Sequence, residues 1–231
     1  MKIGILGSGL MGAKLGQLWA RCGHDVTFAY SRSRSKLERL AQAAGASHGS
    51  VADAVENSDA LLLAVHWSRV NDVLAQAGDL SGAVVLNCCV PLDPTNTDLV
   101  VGIQSSGAEE LAAMRPQARW VSCFNTVPSE AFMPVFSQKE RTPRPQVLVY
   151  GDDAGAKEVA GLLIRDIGFD PLPFEARTSR PGGRRLARVG GGCGREFGRA
   201  AAGRALVAGE RRPRASRGSI RSRGPELLRA P

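Results

Sequence analysis

KIGILGSGLMGAKLGQLWARCG, residues 2–23, is the stretch that decides the fold of this chain. Its first five residues are mostly apolar and suit a short, buried parallel strand. From residue 13 onward apolar side chains recur at helical spacing, with Leu15, Leu18 and Trp19 on one face. Between these two segments lies GSGLMG, which matches the pattern G-x-G-x-x-G. A glycine motif that follows a strand directly and opens a helix indicates a dinucleotide site.

Each glycine of the motif has a separate task at a dinucleotide pyrophosphate. Gly7 permits a tight turn, Gly9 lets the pyrophosphate approach the backbone, and Gly12 lets the helix pack closely on the strand. The unpaired N–H groups and the dipole at the start of the helix favour phosphate groups there. The motif therefore supplies the first candidate cofactor-binding residues, which are Gly7, Ser8, Gly9, Leu10, Met11 and Gly12.

Strands and helices alternate along residues 1–172, which we predict to form one nucleotide-binding domain. The alternation predicts an α/β fold, a Rossmann-like, doubly wound and mostly parallel sheet with helices on both faces. The predicted strands lie at 2–6, 25–30, 59–65, 82–90, 119–125 and 146–151, and an edge strand begins at 169–172. The predicted helices lie at 13–23, 33–45, 50–58, 68–78, 107–115 and 153–168.

The residues after the second predicted strand bear on which dinucleotide is bound. A carboxylate at this position takes the ribose hydroxyls of NAD, whereas the 2′-phosphate of NADP is accommodated by an Arg. Here Tyr30 ends the strand, and Ser31, Arg32 and Lys36 follow. A hydroxyl and two cations suit a phosphate, so we predict NADP rather than NAD. The alternative is a basic helix start that faces solvent.

The net charge of +8 is confined to the C-terminal part of the chain. Residues 171–231 contain 15 Arg and 4 Glu, whereas the first 170 residues carry a net charge of −3. Low hydrophobicity with high charge predicts a disordered, Arg/Gly-rich tail over 173–231. Two alternatives stay open for this tail. The first is a basic arm that binds nucleic acid, although nothing else in the chain suggests this function. The second is that a GC-rich gene is translated out of frame there.

Cysteine usage and hydropathy indicate the compartment. Five cysteines without C-x-x-C spacing predict neither a disulfide framework nor a zinc site and favour a reducing cytoplasm. Cys88 and Cys89 lie in an apolar run and are expected in the core. No apolar run reaches the roughly 20 residues that cross a membrane, so no membrane span is expected. The sequence also shows no Ser-His-Asp grouping, no metal cluster and no general acid, and so predicts no dedicated catalytic residue.

Two further segments carry candidate groups where predicted strands end. AVHW, residues 64–67, should lie where the strand order reverses, which is where such sheets bind ligands. His66 could touch the ribose or nicotinamide, or it could cap a turn, and Trp67 could wall the cofactor or simply pack. CFNTVPSEAF, residues 123–132, offers polar groups that could bond the nicotinamide carboxamide or a second substrate, namely Asn125, Thr126 and Ser129.

Over about residues 1–172 the chain resembles the NADPH-dependent F420 reductases, also called F420-dependent NADP oxidoreductases. The resemblance rests on KIGILGSGLMG, SRS with Lys36, AVHW, CFNTVPSEAF and VYGDDAGAKEVAGLLIRDIGFDPL. It implies an enzyme that transfers hydride reversibly between NADPH and the deazaflavin coenzyme F420, stacked face to face without an acid or base. It also places the NADP contacts on Ser8 to Gly12, Ser31, Arg32, Lys36, Trp67, Asn71, Val127, Pro128 and Ser129.

The chain departs from the family pattern after GFDPL. Members of the family continue there into apolar helices that complete the deazaflavin pocket and, in relatives, a homodimer. Here PFEARTSRPGG, residues 173–183, replaces them, so impaired activity is expected. Two alternative functions remain open from the sequence. One is an NADP-binding sensor or interaction module without turnover, and the other is a related reductase of an imine or a β-hydroxyacid.

Overall fold

Eight strands form one sheet at the centre of the computed structural model, which describes residues 1–56, 58–101 and 104–174. The strands are β1 (Lys2–Leu6), β2 (Asp25–Ala29), β3 (Ser47–His48), β4 (Ala60–Leu63), β5 (Val84–Asn87), β6 (Arg119–Cys123), β7 (Gln146–Tyr150) and β8 (Asp170–Pro173). The helices are α1 (Leu10–Arg21), α2 (Arg34–Ala44), α3 (Val51–Val55), α4 (Val70–Ala77), α5 (Gly107–Met114), α6 (Phe132–Ser137) and α7 (Ala154–Asp166). Two 3-10 helices, Trp67–Arg69 and Ser129–Ala131, precede α4 and α6.

The sheet order is β3-β2-β1-β4-β5-β6-β7-β8, and neighbouring strands run parallel except for β6 and β7. The order reverses between β1 and β4, which are paired directly. In open α/β sheets a crevice forms at such a reversal, outside the carboxyl ends of the strands. The predicted Rossmann-like, doubly wound and mostly parallel architecture is confirmed.

Helices cover both faces of the sheet and bury two apolar clusters. One cluster contains Ile5, Trp19 and Phe28, and the other, on the opposite face, contains Leu6 and Leu63. Since both faces are covered, β4 and β5 are buried at every position, which explains why their residues are apolar up to the buried Asn87 at the end of β5. Among the described residues, no helix combines the length and the hydropathy needed to cross a bilayer.

The helix α7, the last one among the described residues, is joined to the first part of the chain by polar contacts. Trp19 Nε1 donates to the carbonyl oxygen of Leu163 at 2.9 Å, and His24 Nε2 lies 2.9 Å from Asp166 Oδ2. His24 occupies the loop before β2, and this contact gives it a partner 142 residues away. The two halves of the described chain are therefore fastened on the α1 side of the sheet.

Three local features differ from the sequence predictions. β2 ends at Ala29 rather than Tyr30, because Tyr30 has a left-handed backbone with φ of 58°. The strand β3 has two residues and the helix α6 has six, and neither was predicted. Elements this short do not complete enough periods to be recognised from hydrophobic spacing.

The predicted edge strand after residue 169 is present as β8, which pairs in parallel with β7. Pro171 and Pro173 lie in this strand, and proline is tolerated in a sheet chiefly at an edge because it lacks an N–H donor. Apart from Pro173 and Phe174, the predicted tail at 173–231 lies outside the described residues.

Candidate functional site

A groove of about 1000 Å³ lies at the carboxyl ends of β1, β2 and β4, where the strand order reverses. Its walls come from the glycine loop, the segment after β2, the start of α3 and the first turns of α4. The residues that line it are Gly7, Ser8, Gly9, Tyr30, Ser31, Arg32, Ser33, Lys36, Leu37, Gly49, Ser50, Val51, Ala64, Val65, His66, Ser68, Arg69, Asp72, Gln76 and Pro94.

The glycine loop presents an uncapped helix start to this groove. The backbone N–H groups of Gly7 and Ser8 donate to the carbonyl oxygens of Ala29 and Tyr30, at 3.1 and 3.2 Å, which ties the loop to the end of β2. Gly9 is the N-cap of α1, no side chain caps the helix, and its first turn has no acidic residue. The free N–H groups and the positive end of the helix dipole therefore remain available to an anion.

Two exposed cations line the groove beyond β2, as the sequence predicts. Arg32 and Lys36 form no ion pair within the part of the chain that the structure describes, whereas Arg34 is paired with Glu38. Ser31 Oγ accepts the Ser33 backbone N–H at 3.2 Å, which shapes the turn before α2. Cations at a helix start work against the helix dipole, so a bound phosphate would relieve an unfavourable arrangement.

The structure adds groove residues that the sequence did not reveal, of which Tyr30, Arg69, Asp72 and Gln76 are the polar or charged ones near α4. The Tyr30 hydroxyl donates to Asp72 Oδ2 at 2.5 Å, across the groove from β2 to α4. Gln76 Nε2 donates to the other carboxylate oxygen at 3.1 Å. No sequence signal joins Tyr30 to a residue 42 positions later, because only the strand order places the end of β2 near α4.

The pKa of Tyr30 is raised from 10.0 to about 12. Burial of the ring is the larger cause, and the hydrogen bond to the Asp72 carboxylate is the second. The proton on Tyr30 is therefore held more tightly in the folded state than in the unfolded state. The stability that this contact contributes is present below about pH 10 and is lost as the pH rises through about 12.

Ultraviolet titration of a Tyr150→Phe protein, in which Tyr30 is the remaining tyrosine, should show this late ionisation. Adding Asp72→Asn should move it towards pH 10, and an unchanged titration would contradict the assigned contact.

His66 is a capping residue in this structure. Its Nε2 lies 3.1 Å from the carbonyl oxygen of Asp93, which can only accept, so Nε2 carries the proton. Its Nδ1 then accepts the Ser68 backbone N–H at 3.2 Å, at the start of the 3-10 helix. Both ring nitrogens are engaged with protein groups, which favours the turn-capping alternative over a contact to ribose or nicotinamide.

Several residues predicted to bind the cofactor do not line the groove. Leu10 is 70 % exposed, Met11 packs on the main core, and Asn71 is an exposed residue on the first turn of α4. The others outside the lining are Gly12, Trp67, Val127, Pro128 and Ser129. Trp67 packs against the second apolar cluster, which supports the simple packing alternative. Their assignment as cofactor contacts stays a prediction.

The segment after β6 is held next to the glycine-loop helix. Lys14 Nζ donates to the carbonyl oxygen and the hydroxyl oxygen of Ser129, at 3.0 and 3.3 Å, and that hydroxyl donates to Glu130. Asn125 Nδ2 donates to the carbonyl oxygen of Cys89 at 3.1 Å, while its buried Oδ1 has no partner within the described structure. These contacts bring residues 125–130 to the same edge of the sheet as the groove.

The three cysteines at the carboxyl ends of β5 and β6 are unsuited to nucleophilic chemistry. Burial raises the pKa of Cys89 to about 12, and it raises the pKa of Cys88 and Cys123 well above the ordinary value of 9.0.

We expect the thiols of Cys88, Cys89 and Cys123 to resist alkylation at about pH 8 in the native protein, because the reactive form is the thiolate. Peptide-resolved mass spectrometry checks this, with urea-unfolded protein as the reactive control. Rapid native labelling of Cys89 would contradict it.

Comparison with protein families gives a match over the first part of the chain. Residues 2–91 fit the family model described as NADP oxidoreductase, coenzyme F420-dependent. The matched segment runs from β1 to the loop after β5 and includes the glycine loop, the cations after β2 and the α4 wall of the groove.

Solved structures share the fold. A candidate F420-dependent NADP reductase from Arthrobacter sp. FB24 superposes with a TM-score of 0.65 and 24% identity, over 75% of this chain and 84% of its own. A reductive aminase from Aspergillus terreus, in complex with NADPH and ethyl-5-oxohexanoate, superposes with a TM-score of 0.56 and 19% identity. That match covers 75% of this chain and 54% of the aminase. At these identities the likeness establishes the fold.

Among curated proteins, the metalloreductase STEAP3 of Rattus norvegicus is 27% identical over 181 residues. The alignment covers 77% of this chain and 34% of STEAP3. The chain therefore spans about a third of the length of this relative.

Proposed function

We propose that this chain transfers hydride between NADP(H) and a deazaflavin coenzyme of the F420 type, because residues 2–91 match the family model described as NADP oxidoreductase, coenzyme F420-dependent. The general part of this proposal is that the chain is an NADP-dependent oxidoreductase, which is how the matched family model is described. The choice of NADP over NAD and of a deazaflavin as the second redox partner is our proposal. Both choices are supported by the geometry of the groove and by the chemistry that the groove residues allow.

The observation that carries the proposal is an uncapped helix start that shares one groove with the cations Arg32 and Lys36. A Cβ added at Gly9 would meet only the carbonyl oxygen of Ala64, at 3.9 Å, so there is open space in front of the loop. That space suits the pyrophosphate of a dinucleotide, which the free N–H groups would bind. Arg32 and Lys36 would then bind the phosphate on the adenosine ribose, and Ser31 lies beside them.

The proposed chemistry makes few demands on side chains. When bound, NADPH supplies the hydride itself, and the protein has to hold the two rings at reacting distance and exclude water. The groove residues would orient the adenosine half, and the segment at 125–130, fastened through Lys14 and Cys89, lies at the same edge of the sheet. The reduced deazaflavin takes up one proton together with the hydride; solvent would supply that proton, so no side chain has to deliver it.

The proposal is tested first by titrating the purified chain with NADPH and, separately, with NADH. We expect NADPH to bind at least about tenfold more tightly, which corresponds to about 1.4 kcal/mol. Oxidised F420 is then added to the NADPH complex, and its reduction is followed by absorbance, with a cyclic imine as the control acceptor. Reduction of F420 supports the full proposal.

The remaining outcomes separate its parts. Tight NADPH binding without turnover of either acceptor would favour the sensor or interaction module, and turnover of the imine alone would favour the imine reductase. Equal binding of NADPH and NADH would mean that the cations after β2 simply face solvent.

A further inference from the structure

One carboxylate, that of Asp72, lines the groove among the residues that the structure describes. The other charged side chains of the lining are Arg32, Lys36 and Arg69. A carboxylate beside a bound phosphate repels it, which is why an acidic residue in such grooves accompanies NAD rather than NADP. A groove with cations that suit a phosphate therefore contains one group that works against it.

Both oxygens of this carboxylate are occupied by donors. Tyr30 donates to Oδ2 at 2.5 Å and Gln76 donates to Oδ1 at 3.1 Å. Arg69 is close enough to both Tyr30 and Asp72 to act on them electrostatically. The negative charge is thus directed at protein donors on the α4 side of the groove.

Tyr30 reaches Asp72 from an uncommon backbone conformation. Its φ of 58° is left-handed, which is unfavourable for a bulky aromatic residue and is found where the surrounding structure holds it in place. Its carbonyl oxygen accepts the backbone N–H of Ser8 at 3.2 Å, so the same residue fixes the glycine loop. This conformation turns the side chain out of the line of β2 and across to α4.

We propose that Tyr30 is a specificity-determining residue, which selects the 2′-phosphorylated dinucleotide by holding the Asp72 carboxylate away from the phosphate. The inference rests on the proposed function, because it concerns which dinucleotide the same groove prefers. In this proposal the groove residues have two separate roles. Arg32 and Lys36 attract the phosphate, and Tyr30 with Gln76 prevents Asp72 from opposing them.

A double-mutant cycle on Tyr30 and Asp72 tests the proposal, with dissociation constants for NADPH and NADH measured by fluorescence titration at low salt. Tyr30→Phe keeps the ring and removes the hydroxyl, so the NADPH dissociation constant should rise about fivefold, the size expected for one lost hydrogen bond. The NADH constant should change less than about twofold. Combining Tyr30→Phe with Asp72→Asn should restore NADPH affinity to within about twofold of the unmodified chain.

Two matched variants serve as controls. Tyr150→Phe removes a hydroxyl on β7, and Asp79→Asn neutralises a carboxylate that bonds Ser81 after α4. Neither residue lines the groove, so both should leave the ratio of the two dissociation constants unchanged. Urea unfolding of each variant shows that the comparison is made between folded proteins.

The inference is overturned if Tyr30→Phe weakens NADPH and NADH equally, because the hydroxyl would then only shape the groove. It is also overturned if Tyr30→Phe has no effect, or if Asp72→Asn fails to restore NADPH binding in the double variant. If the unmodified chain binds neither dinucleotide, the proposed function itself is wrong and this inference falls with it. That result is separate from the others, since it appears before any variant is made.

Discussion

Replacing Gly9 with alanine is expected to abolish useful NADPH binding while the fold keeps its stability. The φ of −73° and ψ of −165° at Gly9 are open to any L-residue, and the new methyl would meet only the carbonyl oxygen of Ala64, at 3.9 Å. The free energy of unfolding should therefore change by less than about 1 kcal/mol. The same methyl would stand where the pyrophosphate approaches the loop, so the NADPH dissociation constant should rise about 100-fold, or about 2.7 kcal/mol.

Gly12→Ala is the matched comparison, since the same change in the first turn of the helix should act first on stability. A Cβ at Gly12 would lie 1.9 Å from the carbonyl oxygen of Gly7, which is backbone and cannot rotate aside. We expect this variant to lose several kcal/mol of stability, at or beyond the usual overpacking cost of about 1–3 kcal/mol. Urea unfolding and NADPH titration on both variants measure the two effects. A Gly9→Ala protein that binds NADPH normally would exclude this loop as the pyrophosphate site.

Removing both cations after β2 is expected to erase the preference for NADPH. In the Arg32→Ala, Lys36→Ala double variant, the NADPH dissociation constant should rise about 30- to 100-fold, while the NADH constant stays within about twofold. Hydrogen bonds to charged groups contribute about 1.5–3 kcal/mol each, and solvent exposure of both side chains reduces their sum. The same exposure predicts that added salt weakens NADPH binding to the unmodified chain and has little further effect on the variant.

The matched control is Arg34→Ala with Arg39→Ala, on the same helix. Arg34 pairs with Glu38 and Arg39 donates to the carbonyl oxygen of Ser35, and neither side chain lines the groove. This variant removes the same total charge and should leave both dissociation constants nearly unchanged. A similar loss in the two variants would mean that NADPH responds to the general charge of α2 rather than to two placed groups.

The sequence by itself determined the parts of this protein that depend on neighbours along the chain. The apolar runs, the helical spacing and the glycines at 7, 9 and 12 predict β1, α1 and the loop between them, because these features arise within about 20 residues. The cations at 32 and 36 were assigned to the cofactor for the same reason, since a glycine motif fixes where the end of the next strand lies.

The tertiary structure decided the contacts between distant parts of the chain. Tyr30 meets Asp72 only because β2 and β4 lie on either side of β1, and Lys14 meets Ser129 across 115 residues. It also placed two residues whose roles the sequence left open: Trp67 packs against the second apolar cluster, and both ring nitrogens of His66 form hydrogen bonds to protein groups. Such contacts leave no periodic trace in the sequence, because they depend on strand order and on helices packing across the sheet rather than on local spacing.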